Sequence, residues 1–134
     1  KTAMSLSDKF CVDRHKKSFL QLVKTKLDII FANEQEILEL ADAKSFDDVI
    51  SFGKQLDKTL VITRSDKGSV AINKNEITEC KSQKDLKIVD LTGAGDLFAA
   101  GFLHGYINKM TTQDSLNKGT EMASKVIQII GARL

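Results

Sequence analysis

The residues of this chain best suited to chemistry form one short run, Asp90-Leu91-Thr92-Gly93-Ala94-Gly95-Asp96. Two glycines let a backbone turn sharply and expose its N–H groups. The small and apolar residues that follow predict a helix, so these N–H groups would lie at its N-terminus, where unpaired donors and the helix dipole favour an anion. Asp96 falls in the first turn of that helix, beside the expected anion.

An anion cradle with an adjacent carboxylate suits phosphoryl transfer to a hydroxyl group. The backbone of Gly93-Ala94-Gly95 would hold the transferring phosphate, and Asp96 would orient and deprotonate the acceptor. A simpler interpretation is an ordinary glycine turn with an acid that only interacts with the helix dipole. The run is not a Walker A loop, and Phe98 at the third glycine position excludes a Rossmann fingerprint.

The full run resembles the signature of the ribokinase-like (pfkB) family of carbohydrate and nucleoside kinases. The resemblance implies ATP as the donor with Mg²⁺, K⁺ as a further cation, and a small sugar or nucleoside as the acceptor. It places Thr92, Gly93 and Gly95 at the nucleotide. It also implies that Asp90, with Thr92, binds the monovalent cation behind the cradle. An acid that caps the end of a strand is an equally good interpretation of Asp90.

A second candidate is Asn33-Glu34-Gln35-Glu36, which follows an apolar run. Asn33 and Glu36 are three residues apart, so they share a face of a nascent helical turn. Their types and spacing also fit a helix capping box. The same N-x-x-E spacing resembles the second motif of the kinase family, which implies that Asn33 and Glu36 act on Mg²⁺ through ordered water. A fixed cap and a magnesium function are compatible.

A third candidate is Thr63-Arg64-Ser65-Asp66-Lys67-Gly68. The family often has T-x-G-x-x-G here, in a loop that approaches the nucleotide. Thr63 and Gly68 match that pattern, whereas Ser65 replaces its first glycine. A plain polar hairpin loop explains the segment equally well. The departure at Ser65, together with Ser5-Leu6-Ser7-Asp8, favours adenosine-kinase-like and sugar-kinase members of the family.

Composition excludes several classes of protein. The 134 residues carry a net charge of +2, so neither nucleic acid nor a membrane surface is an expected partner. No apolar stretch approaches the roughly 20 residues of a membrane-spanning helix. Cys11 and Cys80 fit neither a zinc spacing nor a disulfide framework, which indicates reduced thiols in a cytoplasmic protein.

The pattern of apolar runs along the chain predicts an α/β fold that alternates strands and helices. Predicted strands are Thr2–Leu6, Asp28–Ala32, Thr59–Thr63, Ser69–Asn73, Glu76–Cys80 and Leu86–Val89, and predicted helices are Val12–Thr25, Glu34–Ala41, Ser45–Gln55, Ala94–Asn108 and Asp114–Ile130. Such alternation favours a doubly wound, mainly parallel sheet. Ligands of these sheets bind at the carboxyl ends of the strands, where all three candidates lie.

The resemblance covers nearly the whole chain and corresponds to the carboxyl-terminal, nucleotide-binding part of a single ribokinase-like domain, residues 1–134. The amino-terminal half of such kinases, with the acceptor pocket and lid, is absent from these residues. We therefore expect this chain alone to be inactive and to self-associate, for example as a homodimer, or else to be the ordered part of a longer protein. A non-catalytic, nucleotide-binding regulatory module is the alternative function, because a glycine turn can bind phosphate without transferring it.

Overall fold

A computed structural model describes residues 1–134 as an α/β protein. The strands are β1 (Ala3–Ser5), β2 (Ile29–Asn33), β3 (Thr59–Thr63), β4 (Ser69–Asn73) and β5 (Glu76–Cys80). The helices are α1 (Lys9–Arg14), α2 (Lys16–Thr25), α3 (Glu34–Leu40), α4 (Phe46–Gln55), α5 (Ala94–Ile107) and α6 (Thr112–Val126), and a 3₁₀ turn spans Ser65–Lys67. The predicted bounds of β3, β4 and β5 are confirmed.

The five strands form one open sheet in the order β1-β2-β3-β4-β5. β1 runs parallel to β2, and β2 runs parallel to β3 with Asn33 opposite Thr63. Unbroken burial of Ile29–Ala32 and of Leu60–Ile62 is typical of strands covered on both faces. The sheet is mixed and mostly parallel, which confirms the predicted fold class.

The chain divides into two compact units. The first comprises residues 1–63 and 71–77, and the second comprises residues 64–70 and 78–134. In the first unit, the core consists of the buried strand residues together with Ile37 and Leu40 of α3 and Val49 of α4. Gly53 of α4 allows Ile72 to approach closely, since a Cβ there would lie 2.8 Å from the Ile72 Cδ1.

The second unit is built on the packing of α5 against α6. Glycines let the two backbones meet: a Cβ at Gly101 would lie 2.6 Å from the Lys118 carbonyl, and one at Gly105 would lie 2.6 Å from the Ser115 hydroxyl. Gly119 of α6 faces Phe98 in the same way. These contacts leave no room for a methyl group, so they fix the helix that carries Asp96.

The predicted strand Leu86–Val89 is wrong. These residues form an irregular segment outside the sheet, with Ile88 63% exposed and Val89 46% exposed. The backbone N–H groups of Val89 and Asp90 donate instead to the carbonyl of Ile127, at 2.8 and 3.2 Å. Lys87 interrupts the apolar run, so the segment does not supply the continuous apolar surface that a buried parallel strand needs.

Two predicted helices also differ from the structure. The helix predicted over Val12–Thr25 starts earlier, at Lys9, and is interrupted at His15, where φ is −120° and ψ is 26°. The last helix ends at Val126 and not near Ile130, which is 87% exposed. Beyond Val126 the hydrogen bonds tighten to a three-residue spacing, from Gln128 N–H to the Lys125 carbonyl at 3.3 Å and from Ile129 N–H to the Val126 carbonyl at 3.2 Å. The sequence has no proline at either helix end and no glycine next to His15.

No helix is both long enough and apolar enough to span a bilayer. Neither cysteine forms a disulfide, and Cys11 is exposed whereas Cys80 is buried.

Candidate functional site

The cradle begins at Gly93, which adopts a left-handed conformation with φ of 79° and ψ of 0°. A side chain at this position would be strained by the backbone and would also lie 2.7 Å from the Ala132 Cβ. The Gly93 carbonyl accepts the first helical hydrogen bond from Leu97 N–H at 2.9 Å. The predicted sharp turn into a helix at Gly93 is therefore confirmed.

The next three residues start α5. Ala94 N–H donates to the Leu91 carbonyl at 3.2 Å, whereas the N–H groups of Gly95 and Asp96 have no acceptor within the helix. The exposed Asp96 is the acidic residue of this first turn. A Cβ placed on Gly95 would meet nothing within 4 Å, and the φ of Gly95 is not positive. Glycine at this position is thus required neither by backbone strain nor by neighbours within the chain.

Asp90 lies behind the cradle, half-buried. Its Oδ1 accepts from Thr92 N–H at 2.8 Å, and its Oδ2 accepts from Gly131 N–H at 3.0 Å. Hydrogen bonds from the Thr92 side chain and backbone, and from Gly131, lower the pKa of Asp90. The carboxylate therefore links the loop to the segment after α6. The strand end that it was predicted to cap is not present, because residues 86–89 form no strand.

In the first unit, the structure brings Asn33, Glu36 and Thr63 together at the carboxyl ends of β2 and β3. Asn33 caps α3, accepting from Glu36 N–H at 2.8 Å, and Glu36 accepts in return from Asn33 N–H at 2.9 Å. Asn33 Nδ2 also donates to Glu36 Oε1 at 2.9 Å. The predicted capping box is confirmed, and Thr63 lies opposite Asn33 on the neighbouring strand.

Glu36 is a buried carboxylate, only 6% exposed. Burial raises its pKa, the hydrogen bond from the Asn33 backbone opposes that rise, and the charge of Asp8 adds to it. Both carboxylate oxygens already accept from Asn33, but each oxygen has a further lone pair. Glu36 is therefore held rigidly and keeps the capacity to accept from one more donor, such as a water molecule.

The loop after Thr63 departs from the family pattern at Ser65, and its backbone conformation bears on that departure. Ser65 has a positive φ of 52°, so it occupies a conformation that glycine adopts without strain. Gly68 has a φ of 90°, and any Cβ there would clash with the Cys80 carbonyl. Glycine is thus required at Gly68, whereas Ser65 tolerates a left-handed backbone.

No group of three or more His, Cys, Asp or Glu side chains could enclose a metal ion. Mg²⁺ commonly keeps several waters and needs only one or two carboxylates. A fixed carboxylate with a spare lone pair, such as Glu36, fits an ion held through water.

Sequence reasoning missed the contribution of Gly131 and Ala132 to the loop around Asp90 and Gly93. The two residues follow α6 and lie about 40 positions from the motif that they contact. The only signal was a glycine just beyond an apolar helix, which also marks an ordinary helix end.

Comparison with known proteins supplies independent information. The family model for pfkB family carbohydrate kinases matches residues 1–134, the whole chain. Cytidine kinase from Thermococcus kodakarensis is 32% identical over 119 residues, which cover 84% of this chain and 41% of that protein.

Solved structures give the same picture. Adenosine kinase from Sinorhizobium meliloti superposes with a TM-score of 0.96 at 39% identity, over 100% of this chain and 41% of that one. A probable sugar kinase from Rhizobium etli superposes with a TM-score of 0.94 at 40% identity, over 98% of this chain and 40% of that one. The chain thus spans about two fifths of the length of these relatives.

Proposed function

This chain belongs to the pfkB family of carbohydrate kinases, and we propose that the protein containing it transfers a phosphoryl group from ATP to a hydroxyl group of a nucleoside or sugar. Residues 1–134 would form the carboxyl-terminal, nucleotide-binding part of a single kinase domain. Relatives named adenosine, cytidine and sugar kinases support this acceptor class. The identities to an adenosine kinase and to a probable sugar kinase, 39% and 40%, are nearly equal, so nucleosides and sugars are both to be tested as acceptors.

The observation that carries the proposal is the open space at Gly95. Neither its backbone conformation nor its neighbours require glycine, so a ligand that approaches the helix N-terminus closely would explain the missing side chain. In this proposal, the phosphate lies over Gly93-Ala94-Gly95. The N–H of Gly95 and the helix dipole stabilise the charge that develops during transfer. The Ala94 N–H donates to the Leu91 carbonyl at 3.2 Å, so it would bind the phosphate only if that hydrogen bond were broken.

Asp96 is the proposed base. It lies one residue beyond Gly95 in the first turn of α5, exposed to an incoming acceptor. The carboxylate orients the acceptor hydroxyl toward the phosphate and accepts its proton. Because phosphoryl transfer has a loose transition state, positioning contributes most of the effect, and a strong base is not required.

Other residues would hold the nucleotide and its cations. Thr63, Gly68 and Thr92 would lie along the nucleotide, and Asn33 with Glu36 would hold Mg²⁺ through water. The ion would neutralise charge on the phosphates. By resemblance, Asp90 would face a monovalent cation such as K⁺, although both of its oxygens already accept backbone hydrogen bonds.

The proposal is tested by ATP turnover of the full-length protein with a panel of acceptors, including adenosine, cytidine, ribose and fructose. We expect ADP formation that depends on one acceptor or on a few related ones, with the phosphate recovered on the acceptor. ATP binding without turnover on any acceptor would instead support the regulatory module.

A further inference from the structure

One loop of the second unit, residues 64–68, lies against residues 80–82 at the end of β5. We call it the Gly68 loop. Its own hydrogen bonds are local: Arg64 N–H donates to the Gly68 carbonyl at 2.8 Å, and Gly68 N–H donates to the Ser65 carbonyl at 3.1 Å. These bonds shape the turn, but bonds within a loop do not fix its direction relative to the rest of the unit.

Two contacts attach the Gly68 loop to residues 80–82. The first is close packing, because a Cβ at Gly68 would lie 2.0 Å from the Cys80 carbonyl oxygen. The second is a hydrogen bond that the half-buried Ser82 donates from its Oγ to the Asp66 carbonyl at 2.5 Å. Of these two contacts, only the second uses a side chain, so a substitution can remove it and leave the backbone unchanged.

Residues 80–82 are themselves held at Cys80, which is buried. The Cys80 Sγ donates to Asn117 Oδ1 at 3.2 Å and lies 3.4 Å from Thr120 Oγ1. Both partners belong to α6, the helix that packs against α5. Ser82 therefore donates its hydrogen bond from a segment that is attached to a helix two residues earlier.

We propose that Ser82 is a positioning residue for the nucleotide. Its hydroxyl holds the carbonyl of Asp66, the middle residue of the 3₁₀ turn Ser65–Lys67, so that the Gly68 loop keeps one conformation before ATP binds. A loop that is already held in this way does not have to be ordered by its ligand, which raises the apparent affinity. The inference rests on the proposed function, which places Gly68 along the nucleotide, and it gives a role to a residue outside all three sequence motifs.

The test measures ATP binding and turnover of Ser82→Ala in the full-length protein. The KM for ATP and the calorimetric Kd for ATP should rise about fivefold, because only a fraction of the molecules would hold the loop ready. A fivefold change corresponds to about 1 kcal/mol, the usual net contribution of one hydrogen bond. The kcat at saturating ATP and the KM of the acceptor should stay within about twofold, because the lost interaction serves nucleotide binding and not the chemical step.

Ser82→Thr and Ser51→Ala are the matched controls. Threonine keeps the hydroxyl group, so Ser82→Thr should keep the wild-type Kd for ATP. Ser51 also donates its Oγ to a backbone carbonyl, that of Asp47 at 3.0 Å, but it lies in α4 of the first unit. Hydrogen exchange of the ATP-free proteins adds a readout without nucleotide: the amides of the Gly68 loop should exchange faster in Ser82→Ala and at the wild-type rate in both controls.

Three results would overturn the inference. They are a wild-type Kd for ATP in Ser82→Ala, an equal loss of affinity in either control, and weaker ATP binding in Ser82→Ala with unchanged exchange of the Gly68 loop, which would indicate a direct contact between Ser82 and the nucleotide. ATP binding without turnover by the wild-type protein would refute the proposed transfer, and the Kd and exchange comparisons would still decide the role of Ser82. A wild-type protein that binds no ATP would overturn both proposals.

Discussion

Glu36 caps a helix and still has the lone pairs to accept a hydrogen bond from a ligand or a water molecule. Its carboxylate closes the capping box of α3 while it is almost fully buried. Burial raises its pKa above the ordinary value of 4.5, and the charge of Asp8 adds to the effect. The folded protein therefore binds a proton at Glu36 more readily than the unfolded chain does.

This shift predicts a pH dependence of stability. Because the folded pKa is raised, the contribution of Glu36 to the free energy of unfolding should fall as pH rises from about 4.5 through the folded pKa, and should then stay level. Glu36→Gln removes this dependence. Denaturant unfolding of both proteins between pH 4 and pH 8 measures the difference. A constant difference over that range would contradict the assigned shift.

Magnesium dependence tests the second role of Glu36. If Glu36 holds the ion through water, Glu36→Gln should raise the Mg²⁺ concentration needed for half-maximal turnover. If it acts only as a cap, the variant should lose up to about 1 kcal/mol of stability and keep its kinetics. A Mg²⁺ titration of turnover distinguishes these outcomes. Asp48→Asn, which removes half of the capping box of α4, is the control for loss of a cap alone.

Gly95 makes the sharpest prediction for a single residue. Since a Cβ would meet nothing in the chain, Gly95→Ala should leave stability unchanged or raise it by about 0.5–1 kcal/mol. The methyl group would occupy the proposed phosphate position, so turnover should fall by about tenfold or more. Thermal unfolding and kcat, measured on one preparation, check the predicted effects on stability and on turnover. Undiminished kcat would show that no ligand approaches Gly95.

At the scale of elements, the helix pair α5 and α6 depends on close backbone contact. Gly105→Ala should destabilise the protein by about 1–3 kcal/mol, because the new Cβ would lie 2.6 Å from the Ser115 Oγ and 2.8 Å from its Cα. Gly95→Ala in the same helix is the matched control, since it adds the same methyl group to open space. Equal stability of the two variants would refute the role of this contact.

Several strands and helices could be predicted from the sequence alone. β3, β4 and β5 were predictable because their β-branched, apolar runs end at clear turn residues such as Lys74-Asn75. Asn33 marked the start of α3 as a cap, and the predicted end of the next helix at Gln55 matches α4. These signals are local, so a single sequence contains them.

The failures were non-local. Leu86–Val89 is apolar enough to predict a strand, but its partner is the Ile127 carbonyl at the end of α6. α6 also ends earlier than its apolar pattern predicts, and the residues after Val126 donate hydrogen bonds three residues back instead of four. Within the candidate site, the glycine turn and the capping box were predictable. The contact between Asp90 and Gly131 was not, because only the fold brings these two residues together.

At the scale of the whole molecule, residues 1–134 alone expose a strand edge and apolar side chains, and both features favour self-association. β1 has a sheet neighbour on one side only, and an unpaired strand edge is a template for pairing. Ile88, Leu91 and Ile130 are 63%, 65% and 87% exposed. We expect this chain alone to form dimers or larger species and to transfer no phosphate. Sedimentation and a turnover assay test this, and an active monomer would contradict it.

The most direct test of the proposed function compares the full-length protein with its Asp96→Asn variant in acceptor-dependent ATP turnover. Loss of a base and positioning group should lower kcat by on the order of 10² or more. The affinity for ATP, measured by calorimetry, should change little, because the proposed cradle consists of backbone groups. Asp96→Asn with near-normal turnover would contradict the central claim that this carboxylate activates the acceptor hydroxyl.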